Sequence, residues 1–167
     1  MKKIKIILFA VFLTSCSSHI ETSNEVVTNF DLDKYMGRWY EIARLDHSFE
    51  RGCDYAAADY SIRDDGKVKV VNSCIRNGKK DKAHGLAYQL KEGEGHFKVS
   101  FFRPFYGNYK IIYLDQGYEI ALIDGGNTGY FWILARDKKV SKNKLTELLD
   151  IAKQAGFDTS KLIYPKQ

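Results

Sequence analysis

The chain has 167 residues, 44% of them hydrophobic and 14% aromatic, with 26 Lys and Arg against 21 Asp and Glu for a formal charge of +5. This length suits one domain, and two prolines with no low-complexity linker or helical repeat give no sign of a second. Three lysines fall within the first five residues; without them 23 positive residues face 21 negative ones, and no basic stretch is interleaved with aromatics, which argues against nucleic-acid binding.

The N-terminus runs Met1-Lys2-Lys3-Ile4-Lys5 and then through eight apolar residues, Ile6 to Leu13. A bilayer core of roughly 30 Å needs about 20 residues of helix, so this run is too short to span one. A charged start, a short apolar middle and small residues after it form the layout of a secretory signal peptide. An N-terminal strand or buried helix is the alternative, but the three lysines suit it poorly. The run ends in Leu13-Thr14-Ser15-Cys16, which resembles the lipobox of bacterial lipoproteins. The resemblance implies removal of residues 1–15 and acylation of Cys16, with Ser17 implying sorting to the outer membrane. Several acyl chains on one residue anchor stably where a single chain is marginal. Ser17 to Thr28 is polar and aperiodic, so residues 16–29 are expected to form a flexible tether, with the domain over residues 30–167.

From Cys53 onward the hydrophobic period is mostly two. Ala56, Ala58, Tyr60 and Ile62 alternate with polar or smaller residues, Asp64-Asp65-Gly66 turns, and Val68 and Val70 alternate with lysines. That hairpin would bring Cys53 and Cys74 close, predicting a disulfide in an oxidising compartment; two free, partly buried thiols are the alternative. Further strands are expected over His84–Leu90, around Phe97, Val99 and Phe101, and over Tyr109–Leu114, Tyr118–Ile123 and Tyr130–Ala135. With Trp39–Leu45 in front, eight short strands at even spacing predict an all-β, eight-stranded, up-and-down antiparallel barrel. One helix follows: Ser141 is a good N-cap, Leu145, Leu148, Leu149 and Ala152 share a face, and Gly156 is a stop. Its apolar stripe is expected to pack on the outside of the barrel.

Gly37-Arg38-Trp39-Tyr40 opens the first strand, and Arg136 closes the last, just before the helix. This arrangement resembles the lipocalin family, in which the tryptophan plugs the closed end of the barrel and the arginine stacks across it. Residues 43–52, residues 99–107 and Trp132-Ile133-Leu134 are similar to signatures of bacterial lipocalin lipoproteins. The resemblance covers about Phe30 to Tyr164. It departs at Leu114-Asp115-Gln116-Gly117-Tyr118, which follows the family's T-D-Y motif only loosely.

In such a barrel the inward face of each strand makes a pocket. Alternation nominates Ala56, Ala58, Tyr60, Val68, Val70, Phe97, Val99, Phe101, Tyr109, Tyr130, Trp132 and Leu134. Small alanines opposite aromatics are expected to leave room for a mainly apolar ligand, although these residues could also pack a solid core. Ile111 and Tyr113 share a face with Tyr109, but Ile112 and Leu114 are apolar too. Arg103, His47 and Lys82 are nominated at the mouth as partners for a phosphate. The resemblance implies fatty acids or lysophospholipids as ligands and a membrane partner through the lipid anchor. No catalytic residue, cofactor or metal is expected. The four histidines show neither H-E-x-x-H nor zinc-finger spacing, and no G-x-S-x-G occurs. The competing reading is an interaction scaffold with a filled barrel, docking through the aromatics of residues 101–106. Oligomeric state is not legible.

Overall fold

The computed structural model of the chain describes residues 20–166. The expected signal peptide, residues 1–15, and Cys16 lie outside the described residues. A one-turn helix α1 (Leu32–Tyr35) leads into eight strands: β1 (Gly37–Arg44), β2 (Tyr55–Ile62), β3 (Val68–Arg76), β4 (Lys79–Gln89), β5 (His96–Phe102), β6 (Phe105–Leu114), β7 (Ile120–Asp124) and β8 (Phe131–Ala135). Each pairs antiparallel with its neighbours in sequence, and β1 pairs with β8, so the sheet closes on itself. A helix α2 (Lys142–Gln154) lies outside, capped by the Ser141 hydroxyl, with Gly156 at positive φ just beyond its end. The predicted barrel and single outer helix are both present.

Period-two alternation divides the apolar residues into two cores. Trp39, Val68, Val70, Phe97, Ile123 and Leu134 point inward. Leu122, Phe131, Ile133 and Ala135 point outward, where Leu148 and Ala152 of α2 cover them completely. The register shifts at three places, Glu41/Ala43, Val99/Phe102 and Ile111/Tyr113, and the first and last redirect core residues. The first turns both Ile42 and Ala43 outward and brings Arg44 back inward. The last leaves Ile111 inside and sends Tyr113 to the helix side. An extra residue in one strand, unmarked by any glycine, is why strict alternation fails there.

The closed end is sealed where β1 begins. Tyr35 and Trp39 are buried with their rings 4.7 Å apart, and the Trp39 indole N–H donates to the Tyr35 carbonyl at 2.8 Å. The Arg136 guanidinium stands 4.0 Å from the Trp39 ring centre and donates to the carbonyls of Lys34, Arg38 and Tyr118. The loosely matching turn before β7 is also tightly bonded. The Asp115 carboxylate accepts from the amides of Glu119 and Ile120, and Tyr118, at positive φ, accepts from the Asp31 amide through its hydroxyl.

Three expectations need correction. Strand β4 starts five residues before His84, because Asn77-Gly78 makes a tight turn with both φ values positive and pairs Lys79–Lys82 with Ser73–Arg76. At the open rim both faces of a strand reach water, so these charged residues carry no alternation. Strand β7 begins at Ile120 rather than Tyr118, which belongs to the turn. The tether expectation for residues 16–29 fails over residues 20–29. Ile20 exchanges hydrogen bonds with Thr128, and Thr22 bonds Gly126 and the buried Asp124 carboxylate. Val27 bonds Ile111 and Gly95, and Phe30 bonds Gly93. The segment is a strap laid down the barrel wall from the β7–β8 loop to the closed end. Its backbone pairs with a bulged stretch of the sheet, which needs no apolar periodicity.

Cys53 and Cys74 form a disulfide across the β2–β3 pair, with Cα atoms 5.4 Å apart, as the hairpin spacing predicted. Replacing both by serine should lower stability by about 3 kcal/mol for a closed loop of this length, measured by urea unfolding. Arg136→Ala should cost about 2–3 kcal/mol, since it removes both the stack and the carbonyl bonds. Arg136→Lys should recover less than half of that, because an ammonium cannot reproduce the planar fork.

Candidate functional site

The barrel is hollow. A cavity of about 760 Å³ runs from the sealed floor toward the opposite end, within the range that small-molecule pockets occupy. All twelve positions nominated by alternation line it: Ala56, Ala58 and Tyr60 on β2, Val68 and Val70 on β3, Phe97, Val99 and Phe101 on β5, Tyr109 on β6, Tyr130 just before β8, and Trp132 and Leu134 on β8. Sequence reasoning missed Tyr35, Ala83, Ala87 and Gly107. Ala83 and Ala87 share parity on β4, with Gly85 between them at 2.9 Å from the Phe101 ring for any added Cβ. Small side chains on β2, β4 and β6 leave the centre empty; aromatic side chains close it below.

The floor of the cavity is built of tyrosines. The Tyr109 hydroxyl lies 2.7 Å from that of Tyr35 and 3.1 Å from that of Tyr60. Burial pushes all three phenols above their ordinary range, Tyr60 to about 12, so they stay neutral and satisfy one another.

One wall is not apolar, which the expectation of a mainly apolar ligand did not foresee. Glu41 and Glu50 both line the cavity, with Arg44 between them. Arg44 is 1% exposed; it donates to the Glu41 carboxylate at 2.6 Å and to the Glu50 carbonyl at 3.0 Å. The Trp132 indole N–H donates to the Glu50 carboxylate at 3.0 Å. One guanidinium neutralises one carboxylate, so the second must keep its proton or remain an uncompensated buried charge. Desolvation and the Glu50 charge accordingly push Glu41 up to about 8, against the pull of Arg44. Glu41 shares parity with Trp39 and was therefore legible as inward-facing, whereas Arg44 reaches the interior only through the bulge.

The three cations nominated at the mouth do not line the cavity. His47 is buried, stacked on Phe49 at 4.5 Å and beside Trp132, and burial with the nearby Arg44 charge lowers its pKa to about 4. It is a neutral packing residue at neutral pH, unsuited to a phosphate. Arg103 and Lys82 are exposed on the rim. Among the described residues no group of three His, Cys, Asp or Glu could hold a metal ion.

Residues 30–167 match the family model described as a lipocalin-like domain. The chain is 42% identical over 171 residues to "Outer membrane lipoprotein Blc" of Vibrio cholerae serotype O1, covering 100% of this chain and 99% of that one. It is 43% identical to the protein of the same name from Citrobacter freundii, covering 95% and 92%. Among solved structures, insecticyanin from the tobacco hornworm Manduca sexta shares the fold with a TM-score of 0.69 at 23% identity, covering 85% of this chain and 83% of that one.

The buried acid pair sets a pH dependence. Folded Glu41 keeps its proton up to about 8 while the unfolded chain releases it in the ordinary carboxylate range, so stability falls as pH rises through that window. His47 acts oppositely, and only below about 6.5: unfolding there takes up a proton that the folded ring accepts only near pH 4, so stability is lost as pH falls. Between pH 6.5 and 8 His47 no longer contributes and the glutamate pair sets the slope, since burial raises Glu50 as well as Glu41. The urea midpoint should therefore drop from pH 6.5 to 8.5 in the wild type, and Glu41→Gln should flatten that drop.

Proposed function

The chain belongs to the lipocalin family, and from that premise we propose that it is a carrier that holds a fatty acid or lysophospholipid in its barrel at the bacterial outer membrane, anchored through an acylated Cys16. The observation that carries the proposal is the empty volume itself. An eight-stranded barrel is only just wide enough for its own side chains to fill. Here small residues on three strands leave a hollow of about 760 Å³ walled by Val, Phe, Tyr and Trp. An empty apolar volume of that size forfeits packing contacts that an acyl chain would restore. The solid-barrel scaffold is disfavoured for the same reason.

The names of the relatives from Vibrio cholerae and Citrobacter freundii support the outer-membrane location and the lipid anchor. The lipobox-like Leu13-Thr14-Ser15-Cys16 supports Cys16 as the acylated residue. The polar wall suits an amphiphile. A protonated carboxyl beside a carboxylate offers one donor and several acceptors, enough for the hydroxyl or ester of a headgroup. No reaction is assigned to the site, since its buried acids and base are held by one another and by Trp132.

The purified protein should take up a fluorescent fatty acid or lysophospholipid with a Kd on the order of 1 μM or tighter. Ala58→Trp, which fills the hollow from the β2 side, should abolish uptake with an unchanged circular-dichroism spectrum. Trp132→Ala should weaken it. Saturable uptake by none of these amphiphiles, from a folded protein, would overturn the proposal.

A further inference from the structure

The strap fixes the point at which the chain leading from Cys16 meets the barrel. Ile20 is bonded to Thr128 in the β7–β8 loop, at the end opposite the Trp39–Arg136 seal. Cys16 lies four peptide steps earlier, a reach of at most ~14 Å even when fully extended. That loop is part of the rim of the cavity. Its Tyr130 stands 6.2 Å from the Phe49 ring, and its Gly126 abuts the Asn108 side chain of β6.

The same rim holds the most exposed aromatic residues of the described chain. Phe49 is 56% exposed, Phe102 77% and Phe105 72%, the last two stacked across the β5–β6 turn. Exposed Lys79, Lys80, Lys82 and Arg103 stand at the same end, with Asp81 among them. At the closed end the most exposed large apolar residues are Ile62 and Leu90, at 41% and 46%. Isolated exposed apolar residues need no explanation, but a ring of phenylalanines around a cavity mouth does.

We infer that the barrel stands mouth-down on its own membrane, with Phe49, Phe102 and Phe105 entering the boundary between headgroups and acyl chains and the rim cations meeting lipid phosphates. This rests on the reading of Cys16 as the anchor. While the strap keeps its bonds to Thr128, Gly126 and Asp124, geometry excludes the inverted pose. A barrel on its closed end would lift Ile20 by the height of its wall, roughly 20 Å for an eight-residue strand tilted about 40°. The four-residue link cannot bridge that. Mouth-down, an amphiphile passes between bilayer and cavity without its chain crossing water.

The test uses the acylated protein extracted from membranes and reconstituted into vesicles of phosphatidylethanolamine and phosphatidylglycerol, with a polarity-sensitive fluorophore on Arg103→Cys at the rim or Asp64→Cys at the closed end. Binding to the vesicles should blue-shift the rim label and nitroxide groups on the lipid chains should quench it, while the closed-end label shows neither effect. Phe102→Ser with Phe105→Ser should remove most of the rim quenching while the protein still floats with the vesicles. Equal quenching at both ends, quenching only at Asp64→Cys, or none at either in floating protein would overturn the inference. So would a rim label shielded from both lipid and aqueous quenchers, which would mean that a second copy covers the rim. Protein that fails to float refutes the anchor and this orientation together, and lipid retained by the same sample reports separately on the carrier reading.

Discussion

Closure of the sheet is the constraint from which the rest follows. Once β1 pairs with β8, every strand has two partners and the width of the interior is fixed by the strand number. What the interior contains then depends on side-chain size at the inward positions alone. Near the floor these are Trp39, Tyr35, Tyr60 and Tyr109, which meet and fill it. Further along they are Ala56, Ala58, Ala83 and Gly107, which cannot span the distance between opposite walls. The cavity is thus a matter of residue volume, and the stacked indole and guanidinium decide which end of it is open.

The buried Glu41–Arg44–Glu50 group is the costly exception within this apolar arrangement. Four ionisable groups meet here, with His47 Nδ1 3.2 Å from the Glu50 carboxylate, and because that ring is neutral the charges do not balance unless one proton stays on a glutamate. Local bonding compensates: the backbone carbonyl of Glu50 and the indole of Trp132 take up hydrogen-bonding capacity that would otherwise face the cavity. The bulge in β1 makes the arrangement possible, since without it Arg44 would point to the outer helix. The short 3₁₀ turn Ser48–Glu50 that follows is held against β8 by the bond from the Trp132 indole to the Glu50 carboxylate.

Much of this was legible in the sequence, for a simple reason. Strand parity has a period of two, so a single inward residue on each strand assigns the rest; Tyr60, Phe97 and Trp132 suffice to orient β2, β5 and β8. The Cys53–Cys74 bridge and the capped helix followed from spacing in the same way. What escaped has equally definite causes. The bulges at Ile42 and Ile112 invert parity without a glycine or proline to mark them. The start of β4 lies among charged residues at a wet rim, where pairing is by backbone only, although Asn77-Gly78 was a readable turn. The strap is held by backbone bonds and by distant side chains, among them Thr128, Lys110 and the buried carboxylate of Asp124, whose partners Thr22 and Asn24 are about 100 residues away in sequence. No local pattern announces such a contact.

The strap also has a mechanical meaning. A pull on the chain ahead of Ile20 loads its attachments one after another, first Thr128, then Gly126 and Asp124, and only afterwards Ile111 and Gly95. Bonds arranged in that order yield singly, like a zipper, while the β1–β8 seam shares its load among several at once. Modest tension would therefore lengthen the leash by the ten residues from 20 to 29, up to ~35 Å of extended chain, before the barrel itself bore any force.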